Sequence, residues 1–364
     1  MMNAMRVATT IFLVIQGRGI HAQTECPDLT KSCSTCADYG QSKVYSFVPP
    51  IIRKAQNGEV QYVLEFESDS GEITSFECAA EDGGRIRALR VGGHPMLVDA
   101  ETAGANGYPG LYGSIFWPSP QSVWGWPPPA AFESANYSIW VDEAAMAISL
   151  AGPVDPVTGL SSTKRFSLDL VQGSIVLEYV LSRADGGSSG SSTVPVAPWE
   201  ITRVGPGGIT FFPTAPATVH KIGGRTDFPV IPTTDASNAT WFAQDPAAMN
   251  ETGEKLFTEG CGGWIAQAVH SEEGSWSVLV KSCDAPPPGS GSACAGEGTL
   301  EVYAVPDYVE VETQGSCEVL KIGASRTWTC RWYARDLPSS CKAEVGNSAL
   351  VGFADCLANC GGVD

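Results

Sequence analysis

Histidine is nearly missing from this chain: four in 364 residues. A His-rich metal centre needs several neutral imidazoles, so that class of site is set aside, and neither a metal nor a cofactor is expected. Positive charge is scarce as well, with 22 Lys and Arg against 40 Asp and Glu and a net charge of −18. A surface of that sign repels phosphate backbones and anionic headgroups, which argues against nucleic-acid and membrane partners. No apolar run approaches the ~20 residues of a membrane-crossing helix. The GxSxG elbow, the P-loop, the dinucleotide fingerprint and HExxH are all absent. Long helical periodicity is missing too.

What is present begins with "MMNAMRVATTIFLVIQGRGIHAQTEC". Arg6 marks a basic start, Val7 to Ile15 a short apolar run, and Ala22 a small residue suited to cleavage, so residues 1–22 read as a secretory signal. Its removal takes away Arg6 and Arg18 and no acid, leaving 20 basic residues against 40 acidic ones. A secreted, extracellular location follows as an expectation. All twelve cysteines lie beyond the signal, and an even count in an exported chain reads as up to six disulfides. Cys33-Ser-Thr-Cys36 has a zinc-like or redox-like spacing, but no second CxxC or HxxxH completes a site. Cys283 and Cys294 bracket "DAPPPGSGSA", a loop that a bridge could clip, and Cys317 and Cys330 flank "EVLKIGASRTWT", which favours pairing them. Sequons stand at Asn136, Asn238 and Asn250, candidates for surface glycosylation.

Short alternating stretches recur along the rest: "EVQYVLEFES", "RIRALRV", "YSIWVDE", "KRFSLDL", "SIVLEYVLS", "SWSVLVKS", "TLEVYAV", "DYVEVETQ" and "RTWTCRWYA". Gly, Pro and Asp separate them. Period-two alternation rich in Val, Ile, Tyr and Trp predicts an all-β antiparallel sandwich or barrel. "KRFSLDLVQGSIVLEYVLS" reads as a hairpin. The Gly/Ser tract at 184–193 is read as a surface loop inside one domain, spanning 44–335. Residues 23–43 and 336–364 are cysteine-bearing extensions strapped onto it.

Three stretches carry candidate chemistry. In "DYVEVETQ", Tyr308, Glu310 and Glu312 share one face, either lining a polar cavity with a carboxylate base or forming a solvated outer face. In "PWEITRV", Glu200 and Thr202 share one face while Trp199, Ile201 and Arg203 share the other, an arrangement for stacking and hydroxyl recognition or for an Arg lying over a packed indole. "FWPSPQSVWGWPPP" puts three tryptophans and five prolines into fourteen positions. Prolines lack the donors of a helix or a central strand, so the stretch is expected as a loop. It is either a lid, or a wall that presents Trp117, Trp124 and Trp126 to a sugar with Gln121 bonding hydroxyls.

"EDGGRIRALRVGGHPMLV" resembles the opening strands of the galactose-mutarotase-like β-supersandwich, and "YVEVETQGSCEVLKIGASRTWTCRWY" is similar to that superfamily's closing hairpin. More closely, the chain resembles a branch marked by "FWPSPQ..WGWPPP", "APWEITRV", "KLFTEGCGGWIAQA" and "YVEVE" in this order, over residues 45–335. The resemblance implies a sugar or glycan ligand in a concave sheet face, with Glu312 matching the mutarotase base. The catalytic histidine does not carry over, and Arg203 stands nearest its place. Glu200, His220 or His94 would then have to supply the acid, with Arg203 and Lys281 holding hydroxyls or a carboxylate. The expected activity is epimerase-like or lyase-like proton abstraction by a monomer. The alternatives are a carbohydrate-binding module without turnover and an extracellular structural protein.

Overall fold

The computed structural model describes residues 44–55, 58–105, 110–184, 194–213, 219–222, 230–232, 239–249, 253–258, 263–271, 274–284 and 293–360. The signal, the 23–43 extension, the Gly/Ser tract from 185 onward, Cys33, Cys36, Asn238 and Asn250 lie outside the described residues. Two antiparallel sheets make the body, of thirteen and ten strands among the described residues. The chain is thus an all-β, two-sheet sandwich, as the alternation predicts.

In the larger sheet the strands Ser114–Ser119, Pro195–Val204, Tyr308–Gln314, Leu300–Val305, Glu254–Thr258 and Val219–Ile222 lie side by side in that order. In the smaller sheet the neighbours are Trp264–His270, Trp276–Cys283, Ser325–Asp336, Ser174–Arg183 and Leu160–Asp169. The expected hairpin is there: Leu160 pairs with Arg183 and Asp169 with Ser174, and the inward residues of each strand are buried alternately. Gly173 closes its turn at φ 57°, where a Cβ would sit 2.2 Å from the Tyr45 ring. Only glycine meets both demands.

Inward side chains of both sheets form the main core, among them Leu64, Phe76, Phe116, Phe166, Leu177, Val302, Val311 and Trp332. Phe116 stacks on Tyr179 of the opposite sheet at 4.6 Å between ring centroids. The smaller sheet is apolar on both faces. Phe212, Phe242, Ile265 and Leu279 enter the main core, while their alternates Phe211, Trp241, Trp264, Val278 and Val280 enter a second one. That second face is covered by the helix Ser348–Cys360, which contributes Leu350, Phe353, Ala354 and Leu357. Asn347 starts the helix by accepting from the amides of Ala349 and Leu350 at 2.9 and 3.2 Å. Trp264 Nε1 donates to Asp355 Oδ1 at 3.1 Å and ties helix to sheet. Among the described residues no helix is long and apolar enough to cross a membrane.

Three expectations are corrected. The Trp/Pro stretch is not wholly a loop, because Ser114–Ser119 is a buried strand in the interior of the larger sheet. Pro118 is tolerated there opposite Pro198, so the two missing donors fall at one register position. Cys317 does not pair with Cys330. Cys283 and Cys330 share a register position on adjacent strands and form one bridge, with Cα atoms 4.0 Å apart. Cys317 follows a strand of the other sheet and bonds Cys294, at a Cα separation of 4.8 Å. Cys283 and Cys294 are thus bonded to different partners rather than to each other, and residues 285–292 between them lie outside the described residues. Finally, six disulfides are not formed, since Cys78 and Cys341 are buried free thiols.

Candidate functional site

Register decides which side chains meet. Glu312 pairs with Ile201 on one side and with Glu301 on the other, and Glu310 pairs with Arg203 and Tyr303. Trp199 pairs with Trp117, and Lys255 with Tyr303. With side chains alternating along each strand, Trp117, Trp199, Arg203, Glu310, Glu312, Glu301 and Lys255 share the face turned away from the smaller sheet. Their neighbours Phe116, Glu200, Thr202, Val311 and Val302 point into the inter-sheet core.

The outward set forms one connected polar row. Arg85 binds Glu133 Oε1 at 2.8 Å, and Trp117 Nε1 donates to Glu133 Oε2 at 2.8 Å. The Arg203 guanidinium lies 5.8 Å from the centre of the Trp117 ring and donates from Nε to Glu310 Oε1 at 2.8 Å. Beyond it Trp199 Nε1 donates to Glu312 Oε2 at 2.8 Å. The Lys255 ammonium touches both Glu312 oxygens, at 3.0 and 2.9 Å, and Glu301 Oε2 at 2.7 Å. Glu301 Oε1 accepts from the Gly298 amide at 2.9 Å and from Gln314 Nε2 at 2.7 Å. Glu301 and Glu312 are fully buried, whereas Lys255 is 22% exposed and Glu310 14%. The solvated-face alternative for Glu312 therefore fails.

Burial sets the protonation tendencies. It pushes the Glu301 carboxyl well above its ordinary range, against the pull of Lys255. It likewise raises Glu310, with Arg203 opposing. Burial works against the Lys255 ammonium, but Glu301 and Glu312 together outweigh it and raise the pKa, so this lysine stays charged. Two donors of the row are left over, Arg85 Nε and Arg203 Nη1. Arg203 Nη1 is buried with no hydrogen-bond partner among the described residues, while the whole side chain is 1% exposed.

The aromatic stretch splits by role. Trp117 is buried; Trp124 is half-buried and donates from Nε1 to the Pro118 carbonyl at 2.7 Å; Trp126 is 61% exposed. Both Trp124 and Trp126 meet the Trp117 ring edge-on, at 5.7 and 6.4 Å. Gln121 opens a short 3-10 turn and is half-buried beside them.

Two expected members are elsewhere. Glu200 and Lys281 face each other at 2.8 Å in the inter-sheet core, both fully buried, on the opposite side of the sheet from Glu312. Thr202 Oγ1 and Ser114 Oγ donate to Glu200, and Lys281 also reaches the Val311 carbonyl at 2.7 Å. Neither can serve as acid or ligand on the outward face. The backbone of His220 pairs with Phe257 on the strand that carries Lys255. His94 lies on a two-residue strand against Val91. Reading the sequence missed Lys255, Glu301, Glu133 and Arg85. The first two had a signal, because "EKLFT" and "TLEVYAV" place Lys255 and Glu301 on alternating strands, though nothing local told which face was which.

No family model matches the chain, and no curated protein matches it. Among solved structures it is similar to the galactose 1-epimerase of Lactobacillus acidophilus, at 10% identity and TM-score 0.41, over 82% of this chain and 100% of that one. It is also similar to a putative mutarotase from Salmonella typhimurium, at 10% identity and TM-score 0.40, over 79% and 97%. A third is a galactose mutarotase-like protein from Clostridium acetobutylicum, at 8% identity and TM-score 0.42, over 81% and 99%. These likenesses concern the fold, and the roles of individual residues rest on the geometry above.

Proposed function

We propose that this is a secreted, monomeric carbohydrate-active protein that binds a sugar or glycan on the outward face of its larger sheet, with Glu312 as proton acceptor. The observation that carries the reading is the unspent N–H of Arg203. A buried guanidinium donor without a partner costs stability, and a ligand oxygen on this face would satisfy it. Beside it Glu310 can accept from a hydroxyl, and the exposed Trp126 offers a ring for the C–H face of a pyranose. The row alternates donors and acceptors, which suits hydroxyl groups that both donate and accept better than it suits sulfates or phosphates. Epimerase-like or lyase-like chemistry requires a proton to be taken from the sugar, and Glu312 is the carboxylate held for it. The contacts made by both Glu312 oxygens favour a second reading, a binding module without turnover.

The test is calorimetric titration with neutral mono- and oligosaccharides, alongside reducing-sugar and double-bond assays. Arg203→Lys keeps a charge for Glu310 but removes the free N–H, and should weaken binding roughly tenfold. Glu312→Gln should abolish turnover and spare binding. Wild-type protein that binds no sugar overturns the proposal, and turnover that survives Glu312→Gln overturns the assignment of the base.

A further inference from the structure

Lys255 is the centre of the row, yet it has nothing left to offer a ligand. An ammonium has three N–H groups, and three carboxylate oxygens surround this one: Glu301 Oε2 at 2.7 Å and Glu312 Oε1 and Oε2 at 3.0 and 2.9 Å. The ammonium also lies by two rings, with Nζ 4.9 Å from the centre of the Trp199 ring and 5.2 Å from that of Phe257. Glu301 and Glu312 occupy one register position on adjacent strands, and both are fully buried. Directly opposed residues of an antiparallel pair bring their Cβ atoms to about 5 Å. Two carboxylates that close, without a cation between them, cannot both stay ionised.

We propose that Lys255 is the positioning residue of this site: its one ammonium, shared between Glu301 and Glu312, keeps the Glu312 carboxylate charged and fixed for proton transfer. Oε2 is spent on Trp199 and Lys255, so Oε1, which accepts from Lys255 alone, keeps the lone pair that would take the proton. Other charged residues stand near the triad in sequence or in register. Glu310 stands two residues from Glu312 and is held by Arg203; Glu297 precedes the Leu300–Val305 strand. On the far edge, His220 and Lys221 stand in register with Phe257 and Leu256.

The role rests on the sugar-site reading, but the charge arrangement can be tested without any sugar. Infrared titration of the carboxyl stretch should show one extra protonated carboxyl at neutral pH in Lys255→Met, and none in Lys255→Arg. A Lys255→Met spectrum identical to wild type overturns the proposal. If Lys255→Met does not fold, Lys255→Met/Glu301→Gln, which removes the repulsion along with the cation, must fold; failure of both equally overturns it. Where turnover is found, Lys255→Met should keep KM and lose kcat about tenfold for each pH unit that the acidic limb moves upward, with recovery at higher pH. A raised KM with an unmoved pH profile would mean that Lys255 holds the ligand instead. If no sugar is bound at all, the function fails while the infrared result still decides the ionic arrangement.

Discussion

Replacing Lys164 with methionine should change how stability depends on pH, in a direction set by where its amine sits. Lys164 lies on the Leu160–Asp169 strand, 1% exposed, and donates to the carbonyls of Gly83 and Gly84 at 2.7 and 3.0 Å. These belong to a turn in which Asp82, Gly83 and Gly84 all have positive φ, and a Cβ on Gly83 would lie 2.0 Å from the Phe132 carbonyl oxygen. The next residue is Arg85, the partner of Glu133, so the buried amine grips the turn that begins the polar row. Burial, and after it the charge of Arg85, lowers the Lys164 pKa from 10.5 to about 7. Between those values the unfolded chain carries a proton that the folded chain lacks, so stability rises with pH across the window. Below about pH 7 both states are protonated and the penalty is fully present and flat. Each pH unit is worth about 1.4 kcal/mol, and the whole window on the order of 4–5 kcal/mol. Lys164→Met also strands two carbonyls, an offset of about 1–3 kcal/mol that does not vary with pH. Urea unfolding of both proteins from about pH 6 to pH 9 separates the two effects. Wild type should gain on the variant above pH 7 and run parallel to it below. Parallel behaviour throughout would refute a neutral buried amine.

The remaining predictions concern the aromatic stretch and the bridges. Trp126→Ala should leave the melting temperature unchanged and weaken sugar binding by about 1 kcal/mol, measured by calorimetry. Trp117→Ala should instead destabilise by about 3–5 kcal/mol, because that indole is buried and braced by Glu133; equal effects of the two changes would contradict the split between wall and lid. Non-reducing peptide maps should recover the Cys283–Cys330 and Cys294–Cys317 peptides, and Cys78 and Cys341 should alkylate only after denaturation. Removing the Cys294–Cys317 bridge should cost about 2–4 kcal/mol by chemical denaturation.

Much of the fold could be read from alternation because period-two patterning is a local property. Every stretch named from its alternation is a strand, and the expected hairpin is formed over residues 160–183. The strand at Ser114–Ser119 was hidden by its prolines. Pro118 is acceptable only because Pro198 comes opposite it, 80 positions later in the chain, and no local rule sees that. The same limit explains the disulfides. Cys330 lies nearer Cys317 in sequence, but Cys283 is its neighbour across the Trp276–Cys283 and Ser325–Asp336 ladder.

The two lysine–glutamate systems show why residue type alone could not locate the site. Glu200 and Arg203 are three positions apart on one strand, so they emerge on opposite faces. Inward, Glu200 meets Lys281 where both are fully buried, and hydroxyls of Ser114 and Thr202 donate to the other oxygen of Glu200. That pair is closed: burial lowers the Lys281 pKa while Glu200 holds against it, and removing either partner would leave an uncompensated charge at a cost of about 3–5 kcal/mol. Outward, the row from Glu133 to Glu301 has partly exposed members at Lys255 and Glu310 and an unspent donor at Arg203. Of these two systems, only the outward one has members within reach of solvent, Lys255 at 22% and Glu310 at 14% exposed. Chemistry can therefore occur at the outward row and not at the inward pair, although Glu200 and Glu312 read alike as carboxylates on alternating strands.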